Sequence, residues 1–64
     1  MSFNKLDSLF DDLKDTINDC QADVTNFVEG NNSAGTRVRK AMQAVKALAQ
    51  EVRVEVQDQK NSQF

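Results

Sequence analysis

The chain has 64 residues, with eight Lys and Arg, ten Asp and Glu, no His, one Cys, no Pro and two Gly, for a formal charge of −2. A chain this short buries only about 60 % of its unfolded surface, so it needs a disulfide, a metal or a partner chain to support its core. One cysteine excludes an internal disulfide and, without histidine, leaves no zinc site; packing against other copies of itself remains.

The charge is divided along the chain. Residues 1–32 hold two Lys and seven acids (Asp7, Asp11, Asp12, Asp15, Asp19, Asp23 and Glu29), a balance of −5. Residues 33–64 hold six bases and three acids, a balance of +3. Such asymmetry points to head-to-tail complementarity or to one basic face with a partner.

The first predicted element is an amphipathic helix over about residues 3–29. With Phe3, Phe10, Ile17 and Val24 at heptad position a, Leu6, Leu13, Cys20 and Phe27 fall at d, and all eight are apolar. Ser2 or Asn4 is placed to cap it, and Asp7, Asp11 and Asp12 sit near the positive end of its dipole. Gly30 is a natural stop, and Gly-Asn-Asn-Ser at residues 30–33 reads as a turn.

A second helix is expected over about residues 34–60, with the polar residues from Asn61 fraying. Its a positions are Val38, Val45, Val52 and Gln59, and its d positions are Ala34, Ala41, Leu48 and Glu55. The apolar pattern fails at Glu55 and Gln59. Met42, Ala49 and Val56 at position e widen the stripe, which suits a bundle better than a two-stranded seam. Residues 52–56 alternate like a strand, but within a helical context.

These elements define an all-α fold, an antiparallel helical hairpin in which residues whose numbers sum to about 62 meet. Val24 is then expected against Val38, Ile17 against Val45 and Phe10 against Val52. Phe27 falls near Ala34, Cys20 near Ala41, and Asp23 within reach of Arg37. Two helices alone leave half of each apolar stripe wet, so a homodimer closing a four-helix bundle is expected. Its core would be Phe3, Leu6, Phe10, Leu13, Ile17, Cys20, Val24, Phe27, Val38, Val45, Leu48 and Val52.

Nothing in the sequence supports catalysis, a cofactor, a metal or a small-molecule substrate. Cys20 lacks an activating base and reads as a small buried hydrophobe. The aspartates read as a solvated face, Gly30 as a helix cap and Gly35 as a close-packing residue. The first residues lack the basic start and apolar run of a signal peptide, so none is expected, and no apolar run of about 18 residues is present to span a membrane. The lone thiol fits a reducing, cytoplasmic compartment.

The basic residues are more informative. Arg39, Lys46, Arg53 and Lys60 recur every seven residues and form a stripe about 31 Å long. Arg37 and Lys40 add charge near the turn. Such a stripe can follow a phosphate backbone; the plain alternative is a charged, solvated face.

The segment from Gly30 to Val56, GNNSAGTRVRKAMQAVKALAQEVRVEV, resembles the core of the bacterial linker-histone-like proteins, the family of the chlamydial histone-like proteins and their short bacterial and phage relatives. The residues that carry the resemblance are Glu29, Gly30, Asn31, Ala34, Gly35, Arg37, Arg39 and Lys40, followed by Lys46, Leu48 and Arg53. The resemblance implies a nucleoid-associated protein that contacts the backbone of double-stranded DNA without sequence specificity, here through Arg37, Arg39, Lys40, Lys46 and Arg53. If the protein were phage-encoded, virion or host cytoplasm would be its place. Longer members carry a Lys/Ala/Pro-rich tail that supplies much of their DNA affinity and is missing here, so weak binding is expected. The alternative is a small helical assembly module that ignores DNA.

Overall fold

The computed structural model describes residues 3–63 and is helical almost throughout, with no strand among the described residues. Helix α1 spans Lys5–Asp19, α2 spans Gln21–Val28 and α3 spans Asn32–Gln63. The α1–α2 arm folds back along α3, giving a slab one helix thick with extents of 50 × 22 × 11 Å.

Local chemistry explains each boundary. Asn4 caps α1, its Oδ1 accepting the backbone N–H of Leu6 at 2.9 Å; Ser2 lies outside the described residues. At the far end of the arm Gly30 takes φ +111°. There Asn31 N–H donates to the Asn26 carbonyl and Gly30 N–H to that of Phe27, each at 3.0 Å. This double closure is the usual way a glycine ends a helix. Asn31 then caps α3 by accepting the Ala34 N–H at 3.2 Å on Oδ1. Helix α3 therefore begins before residue 34, at Asn32, and continues through Gln63, past the expected end at Lys60. Residues 52–56 are helical within it.

The first arm is not one helix. It breaks at Cys20, where the backbone relaxes to φ −91°, ψ 0° and Cys20 N–H reaches back three residues to the Ile17 carbonyl at 3.2 Å. Asn18, Asp19 and Cys20 are three successive poor helix formers. Thr16 Oγ1 also donates to the Asp12 carbonyl at 2.9 Å, a side-chain bond that bends helices.

Antiparallel register follows the expected sum. Arg37 meets Asp23 at 2.8 Å, Lys5 meets Glu55 at 4.0 Å, and the Phe27 ring lies on Gly35. A Cβ on Gly35 would stand 2.6 Å from two ring atoms, so the close approach needs a glycine. Ala34, expected beneath Phe27, is itself fully buried in the seam.

The face that the first arm presents is corrected. On α3 the expected row holds: Ala34, Val38, Ala41, Val45, Leu48, Val52, Glu55 and Gln59 are buried or half-buried. On the first arm the seam is instead Leu6, Leu9, Leu13, Thr16, Cys20 and Asp23. Leu9, among the most buried side chains, was assigned to neither a nor d. Phe10, Ile17 and Val24 remain 50 %, 46 % and 38 % exposed, so the seam is not built on their expected partnerships with Val52, Val45 and Val38. Phe3 and Phe27 are also exposed.

Glu55 and Gln59, where the apolar pattern lapses, close the open end of the hairpin. Gln59 Nε2 donates to Asn4 Oδ1 at 2.8 Å and to Glu55 Oε2 at 3.0 Å, while Asn4 Nδ2 returns a bond to Gln59 Oε1 at 3.4 Å. A polar latch there joins the start of the first arm to the end of α3.

Candidate nucleic-acid interface

The basic residues sort by their angle around α3. At about 100° per residue, Arg39, Lys46, Arg53 and Lys60 lie on average about 120° from the middle of the seam, on one flank. The acids of α3, Glu51, Glu55 and Asp58, lie toward the other flank, more than about 100° away from the basic row. Two surface grooves fix these flanks in space. One is lined by Phe27, Gly35, Val38 and Arg39 and opens on the side of the Phe27 ring. The other is lined by Lys5, Leu9, Glu51 and Asp58.

Arg39, Lys40, Lys46 and Arg53 are exposed, and none is ion-paired among the described residues. Arg37 differs. Its Nε donates to Asp23 Oδ1 at 2.8 Å, so it fastens the two arms and only its remaining edge is free. Lys40 lies across the outer surface from the row but shares with Arg39 a shallow groove lined also by Thr36 and Gln43. The structure thus brings Arg39, Lys46 and Arg53 into one row, with Lys40 beside its upper end and Arg37 engaged elsewhere.

A second row went unread in the sequence. Thr36, Gln43, Gln50 and Gln57 also recur every seven residues and project from the outer surface of α3, next to the basic row. All four are exposed. Their seven-residue spacing is present in the sequence, but the side chains carry no charge to mark it. Amides and hydroxyls are common phosphate partners beside Arg and Lys.

The first arm contributes the opposite charge. Asp12, Asp15 and Asp19 lie on the same side of the seam as Asp23, which places them on the broad face away from the basic row. No group of His, Cys, Asp or Glu among the described residues is placed to hold a metal ion. No described helix is long and apolar enough to cross a membrane.

A two-armed helical hairpin with a cationic row on one edge and carboxylates on a broad face is a binding module in form. The family model for the histone H1-like protein Hc1 matches residues 7–62, nearly the whole chain, and the protein belongs to that family. No curated protein and no solved structure matches the chain.

Proposed function

We propose that this protein binds double-stranded DNA through its phosphate backbone, without sequence preference, as a nucleoid-associated, histone-like protein acting as paired hairpins. Its membership of a histone H1-like family supports a chromatin role. The observation that carries the reading is the row of Arg39, Lys46 and Arg53, continued by Lys60: exposed, unpaired among the described residues and segregated from every acid of its helix. Seven-residue spacing sets successive cations about 10.5 Å apart, and the glutamine row adds neutral donors alongside. The carboxylates of the first arm must point away from DNA; Asp12, Asp15 and Asp19 do so, whereas Asp7 stands on the Phe10 flank, the side of the basic row.

A gel shift at two salt concentrations tests this. About four phosphate contacts give a slope near −3.6, so a fourfold rise in salt should cost roughly a hundredfold in affinity. Replacing Arg39, Lys46 and Arg53 by Gln should abolish binding and leave helicity unchanged. A triple variant that binds like the parent removes the row from the interface. A parent that ignores DNA at low salt leaves the assembly-module reading in its place.

A further inference from the structure

The grooves of the slab divide by charge. Those at the open end of the hairpin are lined by Glu55 and Asp58. Two grooves at the turn end are lined by no carboxylate, and they adjoin, since Thr36 and Arg39 line both. One is mainly apolar, with Phe27, Gly35 and Val38 beside Asn32, Thr36 and Arg39. The other is polar and has Lys40 and Gln43 as its further walls. Phe27 is 51 % exposed, and its ring edge rests where a Cβ on Gly35 would stand 2.6 Å away. The glycine thus brings the ring onto the flank that carries the basic row. Arg39, the first cation of that row, follows Gly35 by about one turn, roughly 6 Å along the axis. The apolar groove has a volume of about 420 Å³. That is the size of a small-molecule site, roughly 300–1,000 Å³, and not the broad contact of a protein partner.

We infer that this groove takes one unpaired nucleobase, stacked on the Phe27 ring, with the neighbouring phosphates on Arg39 and Lys40, so that the protein favours DNA bearing an unpaired base over intact duplex. The site rests on the DNA-binding reading above and adds to it a choice of DNA structure. A strand that follows Arg53, Lys46 and Arg39 reaches the groove at the end of the row. Aromatic side chains stack bases of any kind when cations track the backbone beside them. Asn32 and Thr36 supply an amide and a hydroxyl for the polar edge of the base. A base within an intact helix must be drawn out of its stack at a cost, which is least where it has no partner. A nucleotide also brings its own negative charge, so the carboxylate-lined grooves at the open end repel it and the turn end does not.

Gel shifts of a duplex carrying one bulged base, set against the intact duplex of the same sequence, test the site. The parent should bind the bulged probe about tenfold more tightly. That ratio should hold when salt rises about fourfold, because stacking releases no counterions. Phe27→Leu keeps an apolar side chain against Gly35 but removes the aromatic face. It should bring the ratio to about one and leave the affinity for intact duplex unchanged. Iodouracil placed as the bulged base should photocrosslink to Phe27. A parent that shifts both probes equally, or a ratio that survives Phe27→Leu, overturns the base site alone. Equal shifts together with altered sedimentation of Phe27→Leu give the groove to a protein surface instead. If Phe27→Leu loses its helices, the parent's ratio and the crosslink decide. A parent that shifts neither probe at low salt overturns the functional reading and the base site together.

Discussion

The two arms of the hairpin solve the same packing problem differently. Helix α3 runs unbroken for 32 residues and keeps one seven-residue seam from Ala34 to Gln59, which leaves its remaining surface free to sort charge. The first arm needs two helices, breaks at Cys20, and turns a different face inward from the one its strongest apolar rows define. Its most regular apolar row, Phe10, Ile17 and Val24, stays outside, while the seam takes in Thr16 and the half-buried Asp23. Periodicity therefore identifies a buried face reliably only where a helix has one apolar stripe. Where it has two, the hairpin uses one and leaves the other exposed.

The largest expected effect separates the two stripes of the first arm. Leu9→Ala empties a site in the seam and should cost about 2–5 kcal/mol, as large-to-small core changes do. Phe10→Ala removes more side chain from a half-exposed position, so within one hairpin it should cost less. Denaturant unfolding at two protein concentrations measures both. The Leu9→Ala loss should appear at each concentration, whereas the Phe10→Ala loss should grow as concentration rises, because it acts on association. A Phe10→Ala loss that matches Leu9→Ala and ignores concentration would mean that both rows serve the hairpin.

Much of this was legible in the residues, for reasons that also mark where legibility ends. Two helices, the antiparallel register and the Asp23–Arg37 pair follow from heptads, a stop at Gly30 and a short connection, all local or nearly so. Gly35 read correctly because a small residue inside a helix signals close approach, here by the Phe27 ring. The inward face of the first arm was not legible. Rows a/d and d/g share Leu6, Leu13 and Cys20, and the choice between Phe10 and Leu9 is made by the opposite helix. The basic row was visible as charge, but only the fold shows Arg37 held by Asp23 and a glutamine row beside the rest.

The next effect tests the joint between the arms. Gly30 has open space where a Cβ would go, so its φ of +111° is the whole obstacle to substitution. Gly30→Ala should cost about 1–3 kcal/mol through backbone strain alone. Thermal unfolding of this variant should keep the native helical signal below the transition and show a lower midpoint. An unchanged midpoint would mean that the turn relaxes to a negative φ without disturbing either arm.

The smallest effect asks why the first arm breaks while α3 does not. Two causes meet at Cys20. Asn18 and Asp19 weaken the helix locally, and the buried Cys20 thiol donates to the Ile17 carbonyl at 3.2 Å, which holds the relaxed geometry in place. If propensity is the main cause, Asn18→Ala should stabilise the arm by about 0.5 kcal/mol, since alanine loses less on entering a helix. For a chain of this size that raises the midpoint by about 2–4 °C. Amide exchange at Ala22, Asp23 and Val24 should slow in step, because opening at the break becomes rarer. If the thiol and the seam dictate the break, Asn18→Ala leaves exchange at those amides unchanged, and Cys20→Ala alters it instead. The first result would make the break a weakness of the arm's own sequence. The second would make it a fit to α3, in which the arm bends so that Asp23 can reach Arg37 while Leu9 stays in the seam.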